Sequence, residues 1–148
     1  MILTIQKGQN NHILRQKASK VNQITAEIKQ LILDMIETIQ ADNNAIGLAA
    51  PQVGQSFRII VIESDKQSII LINPIIKKTS RRQTVLEEGC LSLPEVAVPV
   101  KRPYRVTIET LNIKGELIKI KAKDFLARVI QHEIDHLDGI LITDKINE

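Results

Sequence analysis

Aromatic residues are nearly missing from this chain: they make up 2% of it, with one Tyr, two Phe and no Trp. Its core must therefore be built from Ile, Leu and Val, which dominate the 43% hydrophobic fraction. Cysteine is scarcer still. Cys90 is the sole example, which excludes an internal disulfide framework and suits a reducing compartment. No apolar run approaches the roughly 20 residues needed to span a bilayer. The start, Met1-Ile-Leu-Thr-Ile-Gln-Lys-Gly8, has no basic segment leading into a long apolar run, so it does not read as a secretory signal. A cytoplasmic or organelle-interior location is expected. Internal repeats, low-complexity tracts and Pro/Gly-rich linkers are also absent, so residues 1–148 are expected to form one domain. Charge of one sign is barely in excess, at a formal +3. That fits transient contact with an acidic partner, but a solvated surface is the plainer account.

What is present is strongly patterned. Ile24, Ile28, Leu31, Ile32, Met35, Ile36 and Ile39 recur at three- and four-residue steps. They predict an amphipathic helix capped by Asn22 or Thr25. Residues 57–63 and 68–73 read as Ile/Val-rich strands, with a further short one at 96–100 limited by Pro99. Residues 104–111 and 116–122 alternate around Asn112-Ile-Lys-Gly115 and read as a hairpin. A last helix is expected from Asp124, its candidate cap, through Leu126, Val129, Ile130 and Leu137. The fold class that follows is α+β: antiparallel strands packed around a C-terminal helix, with an amphipathic helix near the N-terminus.

That last helix carries Gln131-His-Glu-Ile-Asp-His136. Four residues apart on a helix is one turn, so His132 and His136 can grip one metal ion. Glu133, beside the first ligand, is placed to take a proton from water. Catalytic sites of this kind usually use three protein ligands. A third His at the longer metzincin spacing would fall on position 142, which is Ile142. Upstream, Cys90 stands in Glu87-Glu-Gly-Cys-Leu-Ser-Leu-Pro94, where Gly89 and Pro94 read as a shaped loop. A lone Cys is usually a small buried apolar residue, and spacing alone favours the ligand role only modestly. The small-residue stretch Ala45-Ile-Gly-Leu-Ala-Ala-Pro-Gln52 offers one side-chain amide, Gln52, suited to an oxyanion. A tight loop supporting a strand explains it equally well.

Taken together, Ala45–Gln52, Glu88-Gly-Cys-Leu-Ser92 and Gln131–His136 resemble the three signature motifs of the peptide deformylase family, in the same order. The resemblance extends over nearly the whole chain. It implies a hydrolase that removes the N-formyl group from the N-terminal methionine of new polypeptides and releases formate. It further implies metal ligands Cys90, His132 and His136, with Fe(II) the usual physiological ion and Zn, Ni or Co also accepted. Glu133 would be general base and acid. Gln52 and the Leu91 backbone N–H would hold the oxyanion. Ile46, Gly47 and Gly89 would lie along an extended substrate, and Arg128 and Val129 would border the methionine pocket. Arg128 has two outlets, outward from the rim or onto an acidic group of the substrate. The expected partners are N-formylmethionyl nascent peptides acting on a monomer, with transient ribosome contact left open. No specific nucleic acid and no membrane are expected. Ala45 departs from the family's usual glycine and would be strained if that position needs φ > 0. Relatives that continue past the last helix have a tail that is not found after Glu148.

Other residues have weaker claims. His12 reads as surface. Asp135 and Asp138 are candidates to orient ligands, Asp138 more plainly a solvent-facing charge. Glu87 and Glu88 are each candidates to pair with Arg102 or another base. A zinc peptidase cutting internal bonds and a non-catalytic binding module are the competing readings. The Cys ligand speaks against the first and the intact Glu133 against the second.

Overall fold

The computed structural model describes residues 1–65 and 67–146. Helix α1 (His12–Arg15) is one turn, and α2 (Ala26–Gln40) carries the long apolar stripe. Thr25 starts α2, its hydroxyl accepting from the Ile28 N–H at 3.2 Å. Seven strands follow among the described residues: β1 (Gly47–Ala49), β2 (Ile59–Ser64), β3 (Gln67–Thr79), β4 (Gln83–Cys90), β5 (Leu93–Pro103), β6 (Arg105–Leu111) and β7 (Leu117–Lys123). Helix α3 (Asp124–Leu137) comes next, and short 3-10 turns occupy Ala50–Val53 and Ile142–Lys145. A five-stranded antiparallel sheet runs β1-β2-β3-β6-β7, and β4 and β5 form a separate ribbon.

The run Ile59-Ile-Val-Ile62 shows why the sheet is central. All four are fully buried, which an alternating one-sided strand would not produce. Ile60 and Ile62 meet α3 together with Leu71, Val106 and Ile108. Ile59, Val61 and Ile72 meet α2 on the opposite face. Helix α2 thus covers β1 and β2, while α3 lies under the other face and is held at the height of the β1 edge.

Several boundaries differ from the sequence expectation. Strand β4 covers residues expected to be a shaped loop. The Gly89–Cys90 step is instead a register irregularity in a ribbon whose side chains are largely exposed, so no apolar alternation announces it. Strand β5 runs through Pro99 to Pro103, tolerated because β5 pairs on one edge only. Strand β3 continues past Pro74 by shifting register at Asn73 (φ 53°), whose side-chain amide brackets Val21 N and O. Asp124 opens α3 with φ 58° and does not cap it; the cap position is Lys123, with no side-chain bond. Ala45 is not among the positive-φ residues, so the strain considered for it does not arise.

Candidate metal centre and active site

The end of β4 delivers Cys90, and consecutive turns of α3 deliver His132 and His136. Their ligand atoms all lie within 4.8 Å of one another. Cys90 Sγ is 3.3 Å from His136 Nε2. His132 Nδ1 is 2.8 Å from Glu88 Oε1 and donates to it, which leaves Nε2 for the cluster. Thiolate and imidazole are the donors that iron and zinc accept, and three of them leave a position open. The residues therefore fit one divalent transition-metal ion.

Glu88 is the hub beneath this cluster. Its carboxylate accepts from Arg102 Nε at 2.7 Å and Nη2 at 2.9 Å, and from Arg128 Nη1 at 2.5 Å. Arg102 also reaches Asp135 at 2.8 Å. Burial pushes the Glu88 carboxyl up, but the bonds from His132 and Arg102 outweigh it and hold the group well below the usual carboxylate range. Burial pulls His132 down, but its contacts with Cys90 and Glu88 prevail and it is pushed up to about 10. His136, enclosed and facing His132, is pushed well below its ordinary value. In the metal-free protein His132 is thus the charged imidazole of the pair, and it must release a proton to act as a ligand.

Arg128 does neither of the two things expected of its side chain. It turns inward, 6% exposed, and binds Glu88, Val100 O and Thr84 O. Asp138 pairs with Arg58 at 3.0 Å on the surface and Asp135 with Arg102, so only Asp135 belongs to the network around the cluster. His12 is exposed and is not part of the Cys90/His132/His136 cluster.

Glu133 is 4% exposed, and its Oε1 has no hydrogen-bond partner among the described residues. Burial raises its carboxyl to about 7 despite the opposing pull of His132 and Arg102. A buried carboxylate without a partner is costly unless it serves chemistry. Gly47 makes room for it. A Cβ there would stand 2.7 Å from Glu133 Oε2 and 3.0 Å from Val129 Cγ1. Gly47→Ala is accordingly expected to displace the carboxylate and cut kcat about 100-fold, with thermal stability changed far less; steady-state assay beside a melting curve checks it.

Gln52 is 1% exposed, and its Oε1 accepts from the Ala49 N–H at 2.9 Å. That bond sets the amide so that its NH₂ faces Cys90 Sγ at 3.6 Å and Ser92 Oγ at 3.2 Å. Ser92 was not singled out by sequence. Its place in Cys90-Leu-Ser92, two residues past the thiol, was the available signal.

One cavity of about 720 Å³ gathers these groups. Ile46, Gly47, Gln52, Gly89, Cys90, Leu91, Arg128, Val129, His132 and Glu133 all line it, and His136 sits behind, 2% exposed. Leu86 and Phe125 line its mouth, both about half exposed, and sequence reasoning missed both. A lone exposed apolar residue carries no signature in sequence. The cavity lies between the edges of β1 and β4 that have no strand partner among the described residues.

Comparison with known proteins accords with this geometry. The family described as polypeptide deformylase matches residues 2–148. A peptide deformylase of Dictyoglomus thermophilum is 50% identical over 136 residues, 92% of this chain and 88% of that protein. The crystal structure of peptide deformylase from Thermotoga maritima superposes with TM-score 0.94 at 37% identity, covering 100% of this chain and 99% of that one. A Met-Ala-Ser-bound peptide deformylase from Acinetobacter baumannii superposes with TM-score 0.91 at 31% identity, covering 99% of both. Sequence likeness over the full span, a shared fold and a Cys/His/His cluster with an enclosed carboxylate lead to one conclusion: the chain belongs to the polypeptide deformylase family, metal-dependent hydrolases that remove the N-formyl group from newly made polypeptides.

Proposed function

We propose that Cys90, His132 and His136 hold one divalent metal, Fe(II) in its physiological form with Zn, Ni or Co able to replace it. The substrate is the N-formylmethionyl end of a nascent peptide. The observation that carries this reading is the partnerless Glu133 Oε1, enclosed in the same cavity as the three ligands and the Gln52 amide. When bound, the metal supplies Lewis acidity for water and for the formyl oxygen.

The chain's own groups do the rest. Glu133 takes a proton from the attacking water as its oxygen bonds to the formyl carbon. Negative charge gathers on the formyl oxygen, where Gln52 Nε2–H and the Leu91 N–H oppose it. Glu133 then returns the proton to the departing amine, the C–N bond breaks, and formate and a free amino terminus leave. Burial favours the protonated form of this carboxyl, which suits it to hold the proton between the two steps. The peptide lies as an added strand between β1 and β4, along Ile46, Gly47 and Gly89. Val129, Leu86 and Phe125 supply an apolar surround for methionine. Arg128 borders this pocket by its stem while its guanidinium holds Glu88. The Met-Ala-Ser bound to the Acinetobacter protein begins with methionine, as such a product would. Residues 1–148 act as one catalytic domain and as a monomer, in the cytoplasm or an organelle interior.

Gln52→Ala is expected to fold normally and lose about 10²–10³ in kcat, with activity near the parent's contradicting the donor role. The function itself is tested by anaerobic purification, metal analysis and formate release. Formyl-Met-Ala-Ser should yield formate and acetyl-Met-Ala-Ser should be left intact. Cleavage of an internally blocked peptide instead would identify a peptidase.

A further inference from the structure

Net charge understates how the cations of this chain are arranged. Strands β6 and β7 bury Val106, Ile108 and Ala122 toward α3. Their other face is left open, because α2 packs over β1 and β2 and stops short of it. On that open face the register sets Lys78 beside Thr107 and Thr107 beside Lys121, while Arg105 stands beside Lys123. A groove of about 550 Å³ runs there, lined by Lys77, Lys78, Arg105, Lys119 and Lys121 with Thr79, Ser80 and Thr107 between them, and no carboxylate. Glu109 borders the groove, 3.8 Å from Lys77 and directly cross-strand from Lys119, whereas Lys78, Arg105 and Lys121 have no ion-pair partner within the described residues. At the groove's end the Arg82 and Arg105 guanidiniums lie 4.0 and 5.3 Å from the centre of the Tyr104 ring.

Like charges gathered this way repel one another and are stabilised by a bound polyanion. Same-face residues on a strand repeat about every 6.6 Å, and neighbouring strands lie about 4.8 Å apart, so the cations form a grid able to meet several phosphates at once. We propose that this face of β3, β6 and β7 binds the phosphate backbone of structured RNA without reading its bases. Hydroxyls set among cations serve phosphate and sugar contacts, and Tyr104 with its two guanidiniums offers a stacking surface. A bilayer fits less well, since the exposed apolar residues of this face, Ile75 and Leu117, both lie outside the groove, and Ile75 is in register with the acidic Glu109. The surface lies across the sheet from α3, so an RNA-bound molecule keeps its cavity open. The proposal is independent of the chemistry at Glu133.

The test is fluorescence anisotropy of a labelled RNA hairpin titrated with metal-loaded protein at several salt concentrations. The parent should bind with steep salt dependence. Lys78→Glu combined with Lys121→Glu should weaken binding about tenfold or more and flatten the log–log salt slope by about 2. Lys17→Glu combined with Lys29→Glu makes the same change in net charge elsewhere and should leave binding nearly unaltered. Equal losses in both doubles would overturn the proposal, as would absence of RNA binding in the parent. Binding to phosphatidylserine vesicles in place of RNA, lost in the first double, would overturn it in favour of a membrane surface. Formate release from a short formyl peptide should match the parent in the first double, which shows that the fold is intact. Failure of that assay in the parent would count against the deformylase mechanism and leave the RNA result standing.

Discussion

Glu133→Gln is expected to lower formate release by about 10²–10⁴-fold while the protein stays folded. The amide keeps the shape of the side chain in the space that Gly47 leaves for it, but it cannot accept the proton of attacking water. A second, independent readout comes from pH. In the metal-free protein burial raises the Glu133 carboxyl to about 7 from an ordinary 4.5, because it disfavours the charged form. Below about 4.5 both folded and unfolded chains carry the proton, and no penalty exists. As pH rises from there, the unfolded chain loses its proton first, so stability declines until about pH 7 and then levels off. The metal-free Gln variant escapes this decline and should exceed the metal-free parent above pH 7 by up to about 3 kcal/mol. Urea unfolding at pH 4.5 and pH 8 measures it. A variant that is inactive and also less stable at pH 8 would mean that Glu133 is structural.

Glu88→Ala is expected to have the largest effect on stability. Two guanidiniums, 4% and 6% exposed, converge on this carboxylate, and its removal leaves them short of an acceptor. Breaking a buried pair in this way costs about 3–5 kcal/mol. The same substitution frees His132 to rotate, and metal affinity should fall about 10–100-fold. Denaturant unfolding with and without saturating zinc separates the two losses, because the second appears only in the metal-dependent increment. The sign with pH is opposite to that of Glu133. A carboxyl held below its ordinary range adds stability that is full above about pH 4.5 and declines steadily as pH falls below it. Glu88→Ala should therefore approach the parent's stability as the pH is lowered. A neutral-pH loss under 1 kcal/mol would show that Arg102 and Arg128 find other partners.

Much of this protein is legible in its sequence because chemistry leaves short, spaced signatures. Helix α2 follows from apolar residues at helical steps, and the α+β class from the alternating strands. The segments around Gln52, Cys90 and His132 each look ambiguous alone, and their joint order identifies the family. The strand β4 is not legible: an exposed ribbon needs no apolar alternation, and Gly89 and Pro94 imitate a loop. The inward turn of Arg128 is equally hidden. One guanidinium beside an apolar pocket reads as a rim residue until the partner 40 positions upstream, Glu88, is seen to lie under it. Buried charge networks are long-range by construction, and no local pattern encodes them. The cationic face was masked for a related reason. Its members are scattered over three strands, and a total of +3 averages them against acids located elsewhere.

The thiol and the imidazole it touches stand 46 positions apart, on a ribbon and on a helix that pack only in the finished fold. Translation makes the ribbon well before it makes α3. During that interval the cysteine has no neighbour to shield it, and it is open to oxidation and to stray metals. A pulse of alkylating reagent should therefore label Cys90 in chains that end before His132, once residue 90 has emerged from the ribosome, and spare it in the complete, metal-loaded protein after release.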